Sequence, residues 1–196
     1  MTWHETADVE QYLAAAGDLL LPDPARHTIA LTAVENTRAH PDGTRFAWWT
    51  EPTGEVTGAV SCTPPYPVLL AVVPDHAVSS LTDLWLREGG EVNGPTALAV
   101  QVAAVAAQRH GGTVRLHHAE RLFRLGDLLV PDVPGRPRLA TRADEALLLA
   151  YYTGFVDECR LPAVRLEENV RDRLSFGGML LWEDDGRPVA MAGHTR

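Results

Sequence analysis

Four short stretches carry residue types that could do chemistry. His117-His118 invites a metal, and Glu183-Asp184-Asp185 invites a hard cation. Neighbouring residues of a strand point to opposite faces, so the histidine pair, read as strand, cannot close on one ion. The acidic triplet has no further oxygen ligand spaced nearby, as a calcium-type shell would require, and reads as an exposed turn. Asn93-Gly94-Pro95 could bring backbone close to a ligand, but it also makes a plain helix start with proline near the first turn. Pro74-Asp75-His76-Ala77-Val78 joins an apolar run to a helix-like segment, a place where unpaired N–H groups collect.

What is missing narrows the chemistry further. All 17 basic residues are arginine, so no P-loop lysine, Schiff-base lysine or lysine general base is possible. Cys62 and Cys159 are the only cysteines and are far apart, which speaks against a disulfide framework or a zinc site. We therefore expect no metal. A net charge of −9 argues against nucleic acid and anionic membrane as partners. The N-terminus lacks an apolar core for a secretory signal, and the most apolar run, Ala97 to Ala107, is too short to span a bilayer. A soluble, reduced, cytoplasmic protein is the expectation.

The elements that must position these residues can be read in order. Asp8 caps a helix through Val9, Tyr12, Leu13, Ala16 and Leu20. A second helix is expected from about Ala25 to Ala39, burying Ile29, Leu31 or Thr32, Ala33 and Thr37, followed by a turn at His40–Gly43. Phe46–Thr50 and Val56–Ser61 make a hairpin. Val68–Val73, continuously apolar, reads as a strand buried on both faces. Pro74-Asp75 opens a helix carrying Val78, Leu81, Leu84, Trp85 and Leu86, with Asp75 as its N-cap. Another helix spans Thr96–His110, and Thr113–Leu116 alternates like a strand. Residues 130–137, with three prolines and a glycine, read as an inter-domain linker. A strand at Arg138–Thr141, a helix from Ala143 to Cys159 with Leu147, Leu148, Tyr151, Phe155 and Val156 on one side, and a helix from Leu166 to Leu174 follow. A hairpin turning at Glu183–Gly186 ends the chain. Its shape, aromatic strand, Glu, turn Gly and small-residue strand, matches the first hairpin and suggests an internal duplication. Trp48, Trp49 and Trp182 read as strand and core residues, and one indole face of Trp182 could border a pocket.

The order strand, helix, helix, hairpin, with Arg138-Leu-Ala-Thr-Arg-Ala-Asp144, Phe155-Val-Asp-Glu158 and Met179-Leu-Leu-Trp-Glu-Asp-Asp-Gly-Arg-Pro-Val189, resembles the opening of a GCN5-related N-acetyltransferase (GNAT) domain. The resemblance implies an α/β fold, an acyl-CoA N-acyltransferase-like mixed sheet flanked by helices. It implies a diverged first copy over residues 1–129 and the opening half of a second, incomplete copy over 138–196. Acetyl-CoA is the cofactor it implies, and a small-molecule amine or peptide amine the acceptor. Phe155, Glu158, Trp182, Glu183 and His194 fall where such folds line the acceptor side. The turn at Pro74, Asp75, His76, Ala77 and Val78 falls where the family holds the pyrophosphate in a Gly-rich loop. This turn has no glycine, and an N-cap carboxylate at Asp75 would occupy the donors itself. The second copy stops before any such turn. Two readings stay open: a truncated or degenerate acetyltransferase with little activity of its own, or a non-catalytic GNAT-like binding or dimerisation module. The bare edge of the last hairpin leads us to expect self-association.

Overall fold

The computed structural model describes residues 1–39, 43–161 and 163–195. The expected turn at His40–Gly43 falls mostly outside them. The chain forms two compact units, Met1–Leu125 and Gly126–Arg196.

The first unit is a five-stranded mixed sheet with helices on both faces. Its elements are β1 (Thr2–Thr6), α1 (Val9–Leu20), α2 (Thr28–Ala39), β2 (Arg45–Thr50), β3 (Val56–Cys62), β4 (Val68–Val72), α3 (Val78–Trp85), β5 (Val92–Asn93) and α4 (Thr96–His110). The sheet order is β1-β2-β3-β4-β5. Every neighbouring pair is antiparallel except β4 and β5, where Val68 lies beside Val92 and Leu69 beside Asn93.

Strand alternation divides the core in two. Phe46, Ala59 and Ala71 face α1 and α2, packing with Tyr12, Ala16, Leu20, Ala30 and Val34. Ala47, Trp49, Val60, Val68 and Leu70 face the other way, against Val78, Leu81 and Val102 from α3 and α4. β4 thus contributes to both clusters, as its unbroken apolar run implies. Tyr12 stacks on Phe46 with ring centroids 4.6 Å apart, and burial pushes its phenol well above the usual tyrosine range. Asp8 caps α1 as expected, its Oδ1 accepting from the amides of Glu10 and Gln11 at 2.8 and 3.2 Å.

The second unit holds β6 (Arg136–Leu139), α5 (Glu145–Cys159), α6 (Leu166–Ser175), β7 (Met179–Asp184) and β8 (Arg187–Gly193). Its sheet, β6-β7-β8, is antiparallel throughout. Ala140, Leu148, Val170, Met179 and Leu181 form its core. The element order repeats that of β1-α1-α2-β2-β3 with the same strand neighbours. A bulge interrupts each hairpin, between Trp49 and Thr50 in one and between Trp182 and Glu183 in the other.

Several expectations need correction. β1 was not expected; its Thr-Trp-His-Glu-Thr alternation pairs along the whole of β2. α2 starts at Thr28 and buries Ala30, Val34 and Thr37, while Ile29 is half exposed, because the face toward the sheet is one residue out of the expected phase. Asp75 does not cap α3: a 3-10 turn at Asp75–Ala77 intervenes, preceded by Pro74. Thr113–Leu116 joins no ladder, and residues 111–135 contain neither helix nor strand. The strand argument about His117-His118 therefore lapses; the two rings meet edge to face, 4.3 Å apart, on exposed residues. The end of the expected linker is strand, since Arg136 and Pro137 pair with Glu183 and Trp182. A 3-10 turn at Arg142–Asp144 precedes α5, and Phe155 sits on its exposed side rather than with Leu148 and Val156. The last turn is tighter than expected. Only Asp185 and Gly186 lie between the strands, with φ of 48° and 74°, the pair of positive values a two-residue hairpin turn demands.

Candidate functional site

The polar groups that converge in the first unit do so around the turn after β4. Pro74 sets the backbone there in extended form, and Ala77 N–H closes the 3-10 turn on Pro74 O at 2.9 Å. The indole of Trp3 donates to Ala77 O at 3.3 Å, tying the edge strand to the same turn. Gly58 on β3 makes room: a Cβ there would lie 2.8 Å from Trp49 Cβ and 3.2 Å from Pro74 Cδ.

At the centre is Glu51, just past the end of β2. Its Oε1 accepts from Thr57 Oγ1 at 2.7 Å, His76 Nε2 at 2.8 Å and Trp49 Nε1 at 3.1 Å. The hydroxyl of Thr57 holds the carboxyl below the usual glutamate range; burial opposes this, and His76 and Trp49 add to it. An ionised carboxylate only accepts, so Nε2 of His76 carries the hydrogen of that bond. In the neutral ring this leaves Nδ1 as the acceptor, on a side chain that is half exposed. A carboxylate-oriented imidazole can take up a proton. Among the described residues, however, no group of three or more His, Cys, Asp or Glu is arranged to hold a metal.

Asp75, one residue earlier, points elsewhere. Its Oδ1 accepts from Gln101 Nε2 of α4 at 3.2 Å, a bridge between the segment leaving β4 and the helix after β5. Parallel strands β4 and β5 diverge at this end, the region where open α/β sheets place their ligands. There Gly94 presses on β4, its missing Cβ only 2.7 Å from Leu70 O. A pyrophosphate needs free amide donors and close backbone approach. The turn instead offers two side chains, Asp75 and His76, no glycine, and a carboxylate already bridged to α4. These residues do not fit acetyl-CoA, and the misfit rests on the charge and bulk of the turn rather than on the capping expected from the sequence.

In the second unit the hub is Arg138. Its guanidinium grips both oxygens of Asp144 at 2.8 Å and donates through Nε to Glu183 at 2.6 Å. Asp144 also accepts from the Thr141 amide at 2.8 Å, completing a capping box. Arg138 foremost, with the Thr141 bonds, holds the Asp144 carboxyl far below its ordinary range. Glu183, an expected acceptor-side residue, is thus ion-paired. Trp182 donates its indole N–H to Pro134 O at 2.9 Å, against Gly135, where any Cβ would strike Glu183 O. Phe155 and Glu158 are exposed on the last turns of α5. His194 lies beyond β8, its ring edge-on to Phe176. A cavity of about 320 Å³ in this unit is lined by Arg142, Glu145, Arg171, Leu174 and Ser175, none of the five expected residues.

The sequence pattern gave no weight to Glu51, Thr57 or Gln101. Glu51 had a signal, since it follows Trp48-Trp49 as Glu183 follows Trp182, but only the fold brings His76 to it. No described helix is long and apolar enough to cross a membrane. Comparison with known families, characterised proteins and solved structures finds no match for the chain.

Proposed function

We propose that the chain is a GNAT-type acyltransferase scaffold, built twice, that serves as a non-catalytic module rather than turning over acetyl-CoA. The repeated order of strand, two helices and hairpin supports the doubling, as does the bulge shared by the two hairpins. The parallel β4–β5 pair at the end of an otherwise antiparallel sheet supports the scaffold. The observation that carries the loss of activity is the Asp75–Gln101 bridge at the diverging strand ends. A carboxylate there repels a second anion, and no glycine admits one. An amine acceptor remains the substrate class that the scaffold implies, with Phe155, Glu158, Trp182, Glu183 and His194 as its proposed lining. Of these, Glu183 and Trp182 are already engaged in holding β6 to β7.

Isothermal titration of the chain with acetyl-CoA tests the reading. No saturable heat is expected. Micromolar binding would overturn it.

A further inference from the structure

The second unit leaves uncovered what the first unit covers. In the first, β3 has its outer edge taken by antiparallel β4, and the sheet face bearing Ala47 and Trp49 lies under α3 and α4. In the second, the corresponding strand β8 pairs only with β7 among the described residues. The face turned away from α5 and α6 is apolar in two cross-strand rows. One is Leu139, Leu180 and Ala192; the other is Pro137, Trp182 and Ala190. Leu139 is 60% exposed and Leu180 37%, while Leu181, between Leu180 and Trp182 in sequence, is fully buried on the opposite face.

The edge itself is poorly defended. Pro188 and the bulged Val189 protect its start near the turn. From Ala190 the strand reads Ala-Met-Ala-Gly, with no charge, no proline and small exposed side chains. Its backbone continues in register past Gly193, where His194 N–H donates to Gly178 O at 3.0 Å. Such an edge presents a row of unpaired amides and carbonyls whose natural complement is another strand.

We propose that this surface docks a second copy of the chain, β8 against β8 in antiparallel register across a two-fold axis. Antiparallel pairing makes the contact self-complementary: with Ala192 at the axis, Met191 meets Gly193 and Ala190 meets His194, so no like charges oppose. Arg187 stays outside the paired stretch. The pairing would give a continuous six-stranded sheet with the two apolar faces on one side, and it takes up the edge in the sense in which β4 takes up that of β3. This inference stands apart from the loss of acetyl-CoA binding and can fail without it.

Sedimentation analysis of the full chain over a wide concentration range tests it. We expect a concentration-dependent species of twice the 21.4 kDa chain mass. Ala192→Lys, which sets two ammonium groups against each other at the axis, should return it to monomer with unchanged circular dichroism. Hydrogen exchange on the unaltered chain gives a second measure: amides of Ala190–Gly193 should gain protection as concentration rises. A monomer at every concentration would overturn the proposal. So would a dimer or larger assembly in which these amides exchange freely.

Discussion

Glu51 owes its place to the residues around it rather than to an element. Three donors on one oxygen leave little freedom, and the arrangement depends on Trp49 lying flat against β3. Gly58 is what permits that. In Gly58→Ala the new methyl would meet Trp49 Cβ at 2.8 Å, with Pro74 and Trp3 at 3.2 Å as further walls. Overpacking of this kind costs about 1–3 kcal/mol. Urea unfolding followed by circular dichroism should show that loss, and an unchanged midpoint would mean that the turn after β4 yields easily. The same residues show where sequence reading stops. The pairing of Glu51 with His76 spans 25 positions and has no periodicity to announce it. The Asp8 cap, by contrast, was legible because donor and acceptor are neighbours.

Among the elements, β6, β7 and the start of α5 are joined by one guanidinium. Asp144 must be ionised to hold it, and its lowered pKa fixes the sign of the pH effect. A carboxyl whose folded value is depressed adds stability that is fully present above the ordinary range, about pH 4, and fades as pH falls toward the folded value. The second unit should therefore lose stability on acidification below about pH 4, and Asp144→Asn should flatten that dependence while lowering stability at neutral pH. Equal acid slopes in the two proteins, measured by thermal melts across pH, would contradict this. The elements were mostly legible in the sequence, for reasons that also explain the misses. α1, the hairpins and α4 carry strong periodicity, caps or turn glycines. β1 is a partly exposed edge strand with polar residues at alternate positions, so its pattern is weak. The duplication was the better guide: a strand before α5 calls for one before α1. Residues 113–116 alternate as a strand would but find no partner, because pattern fixes a face and not a neighbour.

For the molecule as a whole, the exposed connection between the units is the weak point to a protease. Residues 111–135 carry no regular hydrogen-bonded structure, and Arg115, Arg121 and Arg124 lie within them, exposed. Limited trypsin treatment should cut there first and release a piece close to each unit. Initial cleavage inside α1, α4 or α5 instead would show that the boundary near Leu125 is not the most open part of the chain.

The indole that donates to Pro134 has one more use. Trp3, Trp48, Trp49 and Trp85 all belong to the first unit, and Trp182 is the only tryptophan after residue 125. Emission from a Trp182→Phe chain therefore reports on residues 1–125 alone, and subtracting it from that of the unaltered protein isolates the other unit. Whether the halves melt together or separately becomes an optical question, answerable without attaching any dye.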